Sequence, residues 1–327
     1  MRILLLYGGW SRERELSLME ARRVEEGLRG LGHTVVRLDP LEAMDRLIPE
    51  AERSDIVYVC LKDVTGTVEA LLDRVGCPRT GTSLESLVLA KSKVALKLLF
   101  ERNGIPTPPW ESVIQPPGPE WRPRLPLPLV AKPDKGGSSI GVFIVQTVEE
   151  LPPALDYIFQ LGDTVVLEPW LSGLEVACGV LGEDALPPIL IRPRSGAFFD
   201  YAAKYTPGKA DEITPAPIDP ALSREIRRLS LQAHRLVGLE GCSRADFILE
   251  NGRPLMLEIN SAPGMTVNSL VPKEALAAGI SYEALMARLI DLGLQRSAKY
   301  RGRRIEPPAP SAENRDCGPS GERPSDS

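Results

Sequence analysis

The sequence predicts a chain of mixed α/β and α+β class, with a small parallel α/β unit followed by two units that combine helices with antiparallel strands. Three observations carry this. Short apolar runs alternate with helical patterns over about residues 1–80, as a parallel sheet requires. A glycine-rich loop, 134–139, lies between two strand patterns. Two alternating runs flank Asn251-Gly252 near the C-terminal end, a strong hairpin signal. At roughly 150 residues per domain, 327 residues hold about two domains. The changes of pattern set expected boundaries at 1–82, 83–170 and 171–295, with 296–327 as a tail.

Residues 2–7 form an apolar run stopped by Gly8-Gly9, which reads as a buried strand. Ser11 is the expected N-cap of a helix carrying Leu16, Val24, Leu28 and Leu31, ended by Gly32. Strands are expected at 33–38 and 55–61. A single strong helix is expected over 84–103, stopped by Asn103-Gly104, with Pro106, Pro108 and Pro109 holding the next segment extended. The proline-rich stretch 115–128 reads as a surface loop. Strands follow at 129–132 and 140–145, a helix at 149–160 and a strand at 164–168. Beyond residue 171, strands near 174–182 and 186–192 precede an irregular polar stretch, 195–218, and a helix over about 220–238. The hairpin occupies 244–260, and a last helix 281–293. Residues 296–327 are rich in Pro, Ser, Gly and charge, a composition that stays disordered.

Composition narrows the function. The formal charge of −5 favours neither nucleic acid nor an anionic membrane as partner. Cys60, Cys77, Cys178, Cys242 and Cys317 are scattered and odd in number, which argues against a disulfide scaffold or zinc site and points to the cytoplasm. The N-terminal apolar run is too short for a signal peptide. No apolar run of about 18 residues is present to span a membrane.

The most informative segment is the hairpin. Side chains in a strand alternate faces, so Arg244 and Asp246 share one face, as do Glu258 and Asn260. A two-residue turn at Asn251-Gly252 would set Asp246 opposite Leu257 and send the acids to opposite faces. A three-residue loop, 251–253, sets Asp246 opposite Glu258 and Arg244 opposite Asn260, and this register is the one expected. Two carboxylates and an amide oxygen suit Mg²⁺, a hard cation that completes its shell with water and phosphate. An exposed polar sheet face is the alternative reading of the same alternation. The glycine-containing loop that follows, Asn260-Ser261-Ala262-Pro263-Gly264-Met265-Thr266, is built to aim backbone N–H groups at an oxyanion.

That run, continued to Ser269-Leu270-Val271-Pro272, resembles the C-terminal signature of the D-alanine–D-alanine ligases. Gly8-Gly9-Trp10-Ser11-Arg12-Glu13-Arg14-Glu15-Leu16-Ser17-Leu18 resembles the family's N-terminal signature. Lys132-Pro133 with Gly137-Ser138-Ser139-Ile140-Gly141 resembles its phosphate loop. Glu168-Pro169-Trp170-Leu171-Ser172-Gly173 with Glu175 resembles its adenine-binding linker, and Asp200-Tyr201 with Lys204-Tyr205 its mobile loop. Five motifs in order over about residues 1–295 are far more specific than one glycine pattern.

The resemblance implies an ATP-grasp fold, two α+β subdomains closing on ATP, behind an N-terminal parallel α/β (pre-ATP-grasp) domain. It implies ligation of two D-alanines through an acyl phosphate for peptidoglycan synthesis, with ATP and two Mg²⁺ ions as cofactors and Mn²⁺ as a substitute. A homodimer is what it suggests for assembly. Asp246, Glu258 and Asn260 would hold the ions, and Lys91 and Lys132 would contact the phosphates. Gly137, Ser138 and Ser139 would fold over the phosphates. Glu168, Trp170 and Leu171 would pair with adenine through their backbone, Glu175 with the ribose, and Lys204 would reach the nucleotide from the mobile loop. Arg244 and the Gly264 N–H would stabilise the oxyanion. Ser269 would receive the carboxylate of the second substrate and Glu13 the ammonium of the first. Ser138 and Tyr205 would link to Glu13 and close the site. Tyr205 matches the dipeptide-forming members, whereas ester-forming relatives use histidine there.

One motif departs from the family. Where a His-Gly pair and a Gly-Glu-Asp-Gly run are usual, the chain reads Leu61-Lys62-Asp63-Val64-Thr65-Gly66-Thr67, shorter and without the histidine. That loop shapes the first amino-acid pocket. Two readings therefore stand beside D-alanine ligation: a ligase for other amino acids, and a non-catalytic nucleotide-binding relative.

Overall fold

A computed structural model of the protein describes residues 1–62, 65–118, 120–137, 140–194 and 210–301. Ser138, Ser139, Lys204 and Tyr205 lie outside the described residues. The N-terminal apolar run is strand β1 (Arg2–Leu6), with Ile3, Leu4, Leu5 and Leu6 fully buried. It is the middle strand of a parallel sheet of order β2-β1-β3, between β2 (Thr34–Leu38) and β3 (Ile56–Val59). A strand covered on both faces needs a continuous apolar run rather than alternation. The helix returning from β1 is Arg14–Gly30, and its N-cap is Glu13. Ser11 does not cap it: its hydroxyl accepts instead from the Glu13 N–H at 3.2 Å.

The second sheet is antiparallel, of order β4-β7-β5-β6, from β4 (Glu111–Val113), β5 (Leu129–Pro133), β6 (Phe143–Val145) and β7 (Val165–Pro169). The helix Leu151–Gln160 buries Leu151, Ala154, Leu155 and Ile158 against it. The third sheet has β8 (Leu174–Leu181), β9 (Asp184–Ala185), β10 (Ile189–Pro193), β11 (Ala210–Ile213), β12 (Cys242–Glu250) and β13 (Arg253–Asn260). Its order is β11-β10-β8-β12-β13, with β9 beside β8, and every pairing is antiparallel. One face packs on Ile226, Leu229, Ala233 and Val237 of the helix Pro220–Val237.

The stretch read as irregular, 195–218, contains strand β11, which pairs with β10, and two further expectations need correction. The helix expected over 84–103 is two helices, Leu84–Lys91 and Lys93–Arg102, broken at Ser92. The Ser92 hydroxyl accepts from the Ala95 N–H at 3.1 Å, which makes it an N-cap inside the run. Asp134 completes the break, its carboxylate accepting the Val94 N–H at 2.8 Å and its carbonyl the Lys93 N–H at 3.1 Å. The last helix runs Tyr282–Arg301, beyond the expected 293 and into the stretch read as tail. Its Leu285, Met286, Leu289 and Ile290 join the core of the parallel sheet, and Arg296 pairs with Asp73 and Glu240, both at 3.0 Å.

Cys60, Cys77, Cys178 and Cys242 are free and buried. No described helix is long and apolar enough to cross a membrane.

Candidate active site

The hairpin brings the acids together, by a route other than the expected three-residue loop. Glu250 pairs with Arg253, so the turn is the two-residue Asn251-Gly252, with φ of 51° and 74°. Positive φ at both central positions suits Asn-Gly and matches strand twist. The register then slips between Asp246 and Phe247: Phe247 faces Met256, but Asp246 faces Glu258 and Arg244 faces Asn260. Leu257 is the extra residue. A β-bulge of this kind re-aims side chains beside a site, and here it restores the convergence that the short turn alone would undo. Arg244 grips Asp246 by two bonds of 2.7 Å, and the Asn260 amide donates to Asp246 at 3.2 Å.

Two cavities meet at these acids. The first, about 210 Å³, is lined by the cationic Lys93 and Lys132, by Gly136 and Gly137, and by the apolar Val130, Ile140, Val142, Leu171, Ile248 and Leu257. The second, about 140 Å³, is lined by Glu13, Lys91, Arg244, Asn260, Gly264 and Ser269. Gly137, Glu175, Ile191, Asp246 and Glu258 border both. A cavity lined by apolar side chains, lysines and carboxylates suits a nucleotide, which needs an apolar surface for its base and cations for its phosphates.

The two expected lysines line different cavities. Lys132 lines the first cavity, whereas Lys91 opens to the second. A second lysine on the first cavity is Lys93, which donates to the Gly136 carbonyl at 3.2 Å and stands 3.5 Å from Glu258. The break at Ser92 puts it there, and that serine cap was the signal available in the sequence. Burial pulls the Lys91 ammonium below its ordinary value, against the attraction of Glu13.

Glu168 contributes a side chain rather than only a backbone edge. Its buried carboxylate bridges Lys97 at 2.7 Å and Lys132 at 2.8 Å. Burial pushes this carboxyl up, but Lys132 and Lys97 outweigh burial and hold it below its ordinary value. Lys97 is lowered to about 8, chiefly by burial and partly offset by Glu168. Lys97 also donates to Thr107 at 2.8 Å, and Thr107 to the Met256 carbonyl at 2.8 Å. The cavity wall is thereby tied to the strand that carries the bulge. In the linker, the Trp170 N–H is already spent on the Pro128 carbonyl at 2.9 Å, and Pro169 has none. Neither Pro169 nor Trp170 therefore has an N–H to give to a ligand.

In the second cavity, Ser269 turns its hydroxyl to the Thr266 N–H at 3.0 Å. It precedes the helix Leu270–Ala277 and makes no side-chain bond into it. A Cβ on Gly264 would meet that hydroxyl oxygen at 2.8 Å, so glycine permits the close approach. Below Arg244, Glu274 is fully buried and accepts the Gly179 N–H at 3.0 Å. Burial raises its carboxyl from 4.5 to about 8, against the pull of Gly179 and Arg244. Between those two values the folded state holds a proton that the unfolded state has lost, so stability falls as pH rises. Relative to Glu274→Gln, the wild type is expected to lose roughly 4 kcal/mol between pH 4.5 and 8, read from urea unfolding at each pH.

Among the described residues no group of three or more His, Cys, Asp or Glu gathers. The donor set is two carboxylates and an amide, which fits an ion that takes its remaining ligands from phosphate and water.

A family model described as D-ala D-ala ligase C-terminus matches residues 99–291. The chain belongs to the D-alanine–D-alanine ligase family. It is 47% identical over 298 residues to the D-alanine–D-alanine ligase of Nitratidesulfovibrio vulgaris strain DP4, covering 90% of this chain and 98% of that one. It is 46% identical to the ligase of Oleidesulfovibrio alaskensis, covering 92% and 99%. Among solved structures, the Bacillus anthracis D-alanine–D-alanine ligase superposes with a TM-score of 0.81 at 32% identity, over 92% of this chain and 99% of that one. The same enzyme complexed with ATP gives 0.81 at 29% identity. The ATP-grasp expectation for the fold is thus met, and family members are ATP-dependent ligases.

Proposed function

We propose that the protein joins two D-alanines to D-alanyl-D-alanine, with ATP cleaved to ADP and phosphate, for peptidoglycan synthesis. The observation that supports this best is the meeting of an apolar- and lysine-lined cavity and a polar second cavity at Asp246 and Glu258. A carboxylate oxygen of the first D-alanine attacks the γ-phosphorus, ADP leaves, and an acyl phosphate results. The amine of the second D-alanine attacks that carbonyl, and phosphate leaves. Phosphoryl transfer is mainly positioning and charge neutralisation. Lys93 and Lys132 hold phosphate oxygens, Leu171 and the apolar lining of the first cavity hold adenine, and Glu175 takes the ribose. Glu13 binds the first ammonium, and Ser269 the second carboxylate. Arg244 and the Gly264 N–H face the oxyanion, and Arg244 exchanges part of its hold on Asp246 for it. Asp246, Glu258 and Asn260 would hold Mg²⁺, or Mn²⁺ in its place, which neutralises the phosphates when bound. We place the reaction in the cytoplasm, where ATP and free thiols coexist, and in a homodimer.

Phosphate release across a panel of D- and L-amino acids tests the reading. D-alanine alone is expected to stimulate release and to give dipeptide. Stimulation by a different amino acid, with none by D-alanine, would move the assignment to a ligase of other specificity, a reading favoured by Lys62 standing where the family's histidine is expected.

A further inference from the structure

The shortened loop leaves its mark on helix Arg14–Gly30 as well as on the first pocket. Lys62 is buried and pairs with buried Glu20 at 2.7 Å. Its ammonium also donates to the Ala262 carbonyl at 3.2 Å. The backbone N–H of Met265 faces the Glu20 carboxylate, and the Tyr282 hydroxyl donates to the Met265 carbonyl at 2.8 Å. Burial would lower the Lys62 ammonium, but the facing Glu20 outweighs it and raises it above its ordinary value. The pair therefore touches the segment 262–265 on both sides of Gly264, from the helix Arg14–Gly30 and the segment after β3. Lys62 and Glu20 border the second cavity together with Gly264 and Arg244.

We propose that Glu20 and Lys62 are positioning residues, a two-residue clamp that fixes the backbone on either side of Gly264 and so aims its N–H into the second cavity. The proposal rests on the oxyanion role given to that N–H above. A preorganised donor is worth most when its geometry is fixed before charge develops, and a displacement near 1 Å costs on the order of 100-fold in rate. A buried ion pair contributes little net stability compared with apolar residues of similar volume, yet costs dearly when halved. Specifying one loop position is a use that fits these energetics. The pair also explains how the chain dispenses with the longer loop: one ammonium, oriented by one carboxylate, bridges to the catalytic segment directly.

The test compares wild type, Lys62→Met, Lys62→Arg and the double variant Glu20→Gln/Lys62→Met, in which no charge is left buried alone. Steady-state kinetics with D-alanine are read beside affinity for ADP and for a dipeptide-like phosphinate bound with ATP. The expected result is a 10- to 100-fold loss of kcat in Lys62→Met and in the double variant. Phosphinate affinity falls in step, ADP affinity stays within about twofold, and Lys62→Arg recovers part of the loss. Unchanged kcat and phosphinate affinity in either folded variant would overturn the clamp, as would an equal loss of ADP affinity. Should the variants fail to fold, hydrogen exchange of the wild type decides: amides of 262–266 protected like those of β13 support the clamp, and rapid exchange there overturns it. If the wild type itself does not ligate D-alanine, the functional reading falls instead.

Discussion

Glu258→Gln is expected to lower kcat by about 1,000-fold, close to 4 kcal/mol of lost transition-state stabilisation. The substitution keeps the shape of the side chain and one oxygen but removes a charge at the junction of the two cavities. Glu258 faces Asp246 across the hairpin and lies 3.5 Å from Lys93, so in the proposed function it sets the local balance between cation and phosphate. With that charge gone, divalent ions bind the site less tightly and Lys93 gains no partner when the nucleotide leaves. Affinity for free D-alanine should change little, because the second cavity keeps Glu13 and Ser269. Kinetics at saturating Mg²⁺ and at graded Mg²⁺ separate a weakened metal site from a damaged one, and a kcat within tenfold of wild type would count against the role given to Glu258.

The second large effect is on stability. Glu168→Gln is expected to destabilise the protein by about 3–5 kcal/mol, since it leaves two buried ammonium groups without their shared carboxylate. Lys97 is fully buried and Lys132 nearly so. Among the described residues, the Thr107 hydroxyl remains as a side-chain acceptor for Lys97, and Lys132 lines the first cavity. A fall in the thermal midpoint of about 4–7 °C follows for a chain of this size. Saturating ADP should recover part of it, because phosphate oxygens replace the missing charge at Lys132. Calorimetry with and without ADP reads both, and an unchanged midpoint would show that the lysines are not held by Glu168.

The hairpin, the glycine-rich loop and the alternation of the first unit were legible because each is a local pattern: apolar periodicity, an Asn-Gly turn, glycines bounding strands. The facing of Asp246 and Glu258 was legible too, but its cause was not. Sequence spacing offered a longer loop, and the chain uses a short turn with a bulge at Leu257; one extra residue in a strand leaves no compositional trace. Lys93 was hidden by reading 84–103 as one helix. The serine that breaks it needs Asp134, far along the chain, to take the freed N–H groups. Glu168 and Lys62 were singled out in the sequence, but their pairings with Lys97 and Glu20 were out of reach for the same reason, because buried pairs form between segments whose proximity only the fold supplies. Lys97 looked like any lysine on a helix, although Leu96 and Phe100 beside it are fully buried.

Divalent-ion stoichiometry is the most direct check. Mn²⁺ binding followed by electron paramagnetic resonance, with a non-hydrolysable ATP analogue present, is expected to give two bound ions per chain in the wild type and fewer in Asp246→Asn and Glu258→Gln. Equal binding by all three proteins would contradict the assignment of the hairpin as the metal and phosphate site.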